Sequence, residues 1–131
     1  MSIIGVGTDI VKKARIEKIW LEFGYSFEKR ILTKFEQQQL QSQANKPSYI
    51  AKRFAAKEAV AKALGTGFGG SVILTEIEIY NNNLGKPEIR LLGKTKAFAN
   101  SIKVNKIHLS LTDEKEYAIA FVVLEASVIT D

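Results

Sequence analysis

The chain has 131 residues, 46% hydrophobic and 25% charged, enough for one domain with its own core and too few for two. It has no cysteine, which excludes a disulfide framework and a thiolate metal site, and it shows neither a signal-peptide pattern nor an apolar run of membrane-spanning length, so the expected setting is the cytoplasm. A net charge of +5 favours an acidic partner, but the basic residues are dispersed and not interleaved with aromatics on a strand, so a nucleic-acid platform finds no support.

Ile3 to Val11 reads as a first strand, with Ile4, Val6, Thr8 and Ile10 on one face and Gly5, Gly7, Asp9 and Val11 on the other. Glycine inside a strand marks a bulge or a close approach, and a carboxylate beside such a clearing suits a hard cation. Capping of the next helix is the plainer use of Asp9. From about Lys12 to Phe23, the spacing of Ile16, Ile19, Trp20 and Phe23 predicts an amphipathic helix that buries those residues and ends at Gly24. A short helical turn follows through Phe27, Arg30 and Ile31. Thr33 and Glu36 then form a capping box that opens a third helix toward Gln43.

A central helix follows Pro47 and Ser48, proline suiting a first turn and serine a cap, and stops at Gly65; the glycines at 67, 69 and 70 make its exit loop flexible. Val72 to Tyr80 and Glu88 to Leu92 read as two arms of a hairpin around Asn81–Gly85. Lys94 to Lys103 reads as a helix with Phe98 and Ile102 inward. Ile107, Leu109 and Leu111 then form one face of a strand whose other face carries His108, Ser110 and Thr112. Tyr117 to Glu125 is nearly all apolar and is expected at the centre of a sheet, with Ala126 to Asp131 a loose tail of a single domain spanning 1–131.

The charges of the central helix are its anomaly. Ile50, Phe54, Ala61 and Leu64 share one face at about 100° per residue, and Arg53 and Lys57 lie in or beside that sector. Glu58 and Lys62 flank its other side, and alanines cover most of the rest. So apolar a helix is expected to be covered by protein, where unpaired charges are costly. Two readings stay open. In one, Glu58 and Lys62 pair along the helix within an ordinary ion-pair network. In the other, Arg53 and Lys57 converge on an anion or a metal–anion site. The hydroxyls and imidazole of His108, Ser110 and Thr112 suit a phosphate or ribose, although a solvated strand face looks the same.

Gly5-Val6-Gly7-Thr8-Asp9-Ile10-Val11 and Arg53-Phe54-Ala55-Ala56-Lys57-Glu58-Ala59, continuing to Lys62-Ala63-Leu64-Gly65-Thr66-Gly67, resemble the two signature blocks of the 4′-phosphopantetheinyl transferases. Arg30-Ile31-Leu32-Thr33 with Glu36, Gly85-Lys86-Pro87 and His108-Leu109-Ser110-Leu111-Thr112-Asp113 add matches in family order from Gly5 to Glu125.

The resemblance implies an α+β fold, a small antiparallel sheet packed against helices. It implies transfer of phosphopantetheine from coenzyme A to a serine of apo-acyl carrier protein, in support of fatty acid biosynthesis. Asp9 and Glu58 match the family's metal carboxylates for Mg²⁺, with Mn²⁺ as an alternative. Lys62 matches a lysine aimed at the pyrophosphate, completing a catalytic set of Asp9, Glu58 and Lys62. Arg53 and His108 match positions near the nucleotide phosphates; Gly65, Pro87 and Thr112 complete the coenzyme A set. Arg15, Ile19, Phe27 and Arg30 match the carrier-protein contact, where an acidic partner meets arginine. Glu58 acting directly, or a metal-bound water acting for it, fits the role of base, and Asp113 carries no catalytic role. The short members of the family form homotrimers with sites at subunit interfaces, Asp9 and Glu58 on one chain and the carrier-contact residues on its neighbour. A non-catalytic module for a nucleotide or an acidic protein and a small RNA-binding domain are the alternatives. Asp9, Glu58 and Lys62 discriminate, because a binder needs only the cations.

Overall fold

The structure, a computed structural model, describes residues 1–65 and 71–127. Strand β1 (Ser2–Lys12) leads into helices α1 (Lys13–Phe23), α2 (Tyr25–Ile31), α3 (Lys34–Gln41) and α4 (Lys46–Leu64). A ribbon of β2 (Ile77–Asn81) and β3 (Pro87–Leu91) follows, then α5 (Gly93–Ser101), β4 (Val104–Asp113) and β5 (Tyr117–Ala126). All strand pairings are antiparallel, in a three-stranded sheet ordered β1-β5-β4 and the two-stranded ribbon. This is an α+β arrangement with β5, the most apolar strand, at the centre of its sheet.

Helix α4 lies across the inner face of that sheet, and α1, α3 and β2 pack on its remaining sides. Alanine makes this possible. Ala59 and Ala63 run so close over β1 that a Cβ on Gly7 would stand 1.9 Å from the Ala59 carbonyl oxygen, and one on Gly5 2.1 Å from that of Ala63. The clearing beside Asp9 is therefore filled by the helix backbone. Ala120, Val122 and Leu124 of β5 meet the same helix and are fully buried. Asn45, not Ser48, caps α4, its side-chain oxygen accepting from the Ser48 amide at 3.1 Å, and Gly65 ends it in the left-handed region at φ 84°.

Several expectations change in three dimensions. The apolar alternation of β1 points outward: Val6 is 54% and Ile10 60% exposed, and Phe121 of β5 joins them at 47%. Phe23 at the end of α1 is exposed, leaving Ile16 as that helix's fully buried residue. Ile102 is exposed where Thr95 and Ala99 face inward. The first arm of the hairpin begins later than its alternation suggests. Leu74–Glu76 form a 3₁₀ turn whose neighbouring backbone groups are taken by side chains: Ile73 N–H donates to Thr95 Oγ1, and the Leu74 carbonyl accepts from Lys57. The capping box at Thr33 forms as expected. Ala126 still pairs with Ser2 and is buried, so the strand runs past the expected start of the tail. The glycines at 67, 69 and 70, and residues 128–131, lie outside the described residues.

Candidate active site

Asp9 projects from the inner face of β1 near the side of α4 that carries Glu58 and Lys62. The Lys62 ammonium donates to Asp9 Oδ1 and to the Thr8 carbonyl, both at 3.0 Å. The helix-internal pair of Glu58 with Lys62 is thus replaced by a link from helix to strand. Burial and then the nearby charge of Asp9 push the Glu58 carboxyl above its usual range, with Lys62 pulling partly against them. Two carboxylates close enough to repel, beside one exposed lysine, suit a divalent cation, which would relieve the repulsion and leave positions for water and phosphate oxygens. The donor set fits Mg²⁺. Among the described residues no cluster of three or more metal-ligating side chains occurs, so remaining ligands would come from solvent or substrate.

The two carboxylates open onto a cavity of about 460 Å³. Asp9 and Glu58 line one part of it; Arg15, Ile19, Phe27 and Phe54 line another. Arg30 lies in an adjoining hollow of about 320 Å³ that shares Ile19 and Phe27. A single chain thus brings the metal carboxylates and the expected carrier contacts to one cavity and its adjoining hollow.

The nucleotide set is what the single chain separates. Asp9 pairs with Ala120, which pairs with Leu111, and that row faces α4. His108 and Thr112 alternate with Leu111 and therefore face the other way, on the exposed outer side of the sheet. There His108 Nε2 meets Glu125 Oε1, its one charged partner among the described residues. Pro87 opens β3 and Gly65 closes α4; neither lines the cavity of Asp9.

Arg53 and Lys57 lie on the other flank of α4. Lys57 is fully buried, and its ammonium donates to Glu36 Oε1 and the Ile31 carbonyl, each at 2.6 Å, and to the Leu74 carbonyl at 3.1 Å. With three acceptors it has no donor left, so the network reading holds for Lys57 and the shared anion with Arg53 does not. Burial depresses its pKa, with Glu36 opposing. Arg53 is 7% exposed, stacks on Tyr49 with its guanidinium 4.5 Å from the ring centroid, and leaves Nε without a partner. Asp113 pairs with Lys13 and, at 3.5 Å, with Lys52, tying the β4–β5 turn to α1 and α4. Partial burial pushes its carboxyl up, but the two lysines outweigh that and hold it below the usual range.

Sequence reasoning gave Glu36 its capping box but not its link to Lys57 or its second oxygen's bond from the Ile79 amide at 2.8 Å, and it missed Glu125. The signal for Glu125 was present: it is the one charge in the otherwise apolar run of β5.

A family model described as the 4′-phosphopantetheinyl transferase superfamily matches residues 5–122. The holo-[acyl-carrier-protein] synthase of Photorhabdus laumondii is 46% identical over 125 residues, covering 95% of this chain and 99% of that protein. The crystal structure of the holo-[acyl-carrier-protein] synthase from Neisseria meningitidis superposes with a TM-score of 0.91 at 41% identity, over 95% of this chain and 99% of that one. A Bacillus anthracis synthase solved in complex with CoA (3′,5′-ADP) gives 0.81 at 38% identity, over 95% and 98%. Signature blocks, fold and site geometry agree with these matches: the chain belongs to the 4′-phosphopantetheinyl transferase superfamily, among its holo-[acyl-carrier-protein] synthases.

Proposed function

We propose that this protein transfers 4′-phosphopantetheine from coenzyme A to a serine of apo-acyl carrier protein, with Mg²⁺ (or Mn²⁺) held by Asp9 and Glu58, releasing adenosine 3′,5′-bisphosphate. The observation that carries this reading is that Asp9, which Lys62 contacts, and Glu58 line one cavity together with Arg15, Ile19 and Phe27. When bound, the metal supplies positive charge to the pyrophosphate. Lys62, exposed and flexible, swings from Asp9 to the leaving phosphate oxygens. Glu58, or a water acting for it, accepts the serine proton. Arg15 and Arg30 meet acidic side chains of the carrier while Ile19 and Phe27 take an apolar one.

Arg53, Gly65, Pro87, His108 and Thr112 serve coenzyme A. The exposed Val6, Ile10 and Phe121 beside His108 and Thr112 support a head-to-tail homotrimer in which the outer sheet face of one copy covers the cavity side of the next and carries these two residues to a neighbour's Asp9. The enzyme then works in the cytoplasm and supports fatty acid biosynthesis.

Incubation with apo-acyl carrier protein, coenzyme A and Mg²⁺, followed by intact mass spectrometry, tests the activity. The expected result is a gain of one phosphopantetheine that chelator abolishes. No gain despite coenzyme A binding points to a binding module instead. Analytical ultracentrifugation tests the trimer.

A further inference from the structure

Glu125 sits where a carboxylate has little reason to be. Strand β5 reads Tyr117-Ala-Ile-Ala-Phe-Val-Val-Leu-Glu125-Ala126, and Glu125 lies on its outer face beside Val123, with Ile3 of β1 on one side and Lys106 of β4 on the other. Its side chain is only 21% exposed, and burying a carboxylate is costly without a partner. Lys106 forms no ion pair with it; His108 Nε2 is its one polar partner among the described residues. The chain holds a single histidine, and the charge on β5 is spent on that ring.

We infer that Glu125 is a positioning residue that fixes the His108 imidazole for the nucleotide phosphates of coenzyme A. A carboxylate on one ring nitrogen sets the tautomer and the ring orientation. With Nε2–H donated to Glu125, Nδ1 is the atom left to face a ligand. A ring that also carries a proton on Nδ1 donates it to a phosphate oxygen, and the Glu125 carboxylate balances the ring's positive charge. The outer face is the one that a neighbouring copy covers in the proposed trimer, so the pair works in a drier setting there than in one chain, where each interaction is stronger. The inference rests on the proposed placement of His108 at those phosphates.

The test uses the full-length protein with its Mg²⁺. E125A is expected to raise the Kd and KM for coenzyme A about tenfold, with kcat within about twofold, because a hydrogen bond to a charged group is lost in binding. E125Q, whose amide oxygen still accepts Nε2–H, is expected to fall between E125A and the native protein. H108A is expected to match E125A, and the double variant to be no worse than H108A alone. Because there is one histidine, the imidazole ¹⁵N resonances report the ring directly, and in E125A they are expected to shift from the single Nε2–H form toward a tautomer mixture. Ring resonances unchanged in E125A overturn the inference. Ring resonances that shift while H108A binds coenzyme A normally overturn the placement of His108 at the nucleotide, and with it the binding role of Glu125.

Discussion

Gly7 lies so closely beneath Ala59 that the two backbones leave no room for a methyl group: a Cβ on Gly7 would meet the Ala59 carbonyl oxygen at 1.9 Å. The contact is backbone on backbone, so no side-chain rotation relieves it. Gly7→Ala is expected to cost about 1–3 kcal/mol or more as α4 is pushed off the sheet. Urea unfolding measures this, and an unchanged midpoint would mean that the helix stands further from β1. The same push separates Glu58 from Asp9, so metal affinity falls with stability.

Lys57 belongs to the same helix and to the same signature block as Glu58, but its partners make it structural. Lys57→Ala strands the buried Glu36 carboxylate and is expected to destabilise by about 3–5 kcal/mol. The folded fraction retains a native KM for coenzyme A, because no donor of Lys57 is free to reach a ligand. A large rise in KM in the folded protein would put the lysine back in the site.

Glu58 poses the opposite trade. Its folded pKa is raised above the usual value of 4.5, so its contribution to stability is fully present below that value and is lost as pH rises through the folded pKa. At neutral pH without metal, the ionised carboxylate is therefore a strain on the fold. Glu58→Gln is expected to raise Tm at neutral pH in chelator, to converge with the native protein on acidification, and to abolish transfer. A Tm that falls at neutral pH would contradict the desolvation of Glu58.

The carrier surface is tested by reversing one charge. Arg15→Glu is expected to raise KM for apo-acyl carrier protein by roughly tenfold or more while leaving KM for coenzyme A within about twofold, since like charges facing each other cost several kcal/mol. Equal effects on both substrates would remove Arg15 from the docking surface.

Element order, the capping box, the stop at Gly65 and the central place of the last strand were legible from residue spacing alone. So was the meaning of Gly5 and Gly7 as a close approach, though not what approaches; that depends on α4, whose contacting residues Ala59 and Ala63 lie more than 50 residues on in sequence, and which is narrow enough only because it is rich in alanine. Facing was harder. Ile4, Val6 and Ile10 show the alternation of a core strand, yet they point outward, because periodicity reports that a face is apolar and not what covers it. Phe23 misled for the same reason. The partners of Lys57 and His108 were illegible because each comes from another element, and spacing along one helix or strand says nothing about it.

Glu36 collects the Thr33 amide, the Lys57 ammonium and the Ile79 amide on one carboxylate, so α3, α4 and β2 share a single fastening. The Ile79 amide is held by a side chain, so its exposure to solvent requires that carboxylate to leave. In amide hydrogen exchange, Ile79 would then follow the slow regime of the α4 interior and not that of a ribbon edge, and replacing Glu36 would turn one cooperative opening into several small ones.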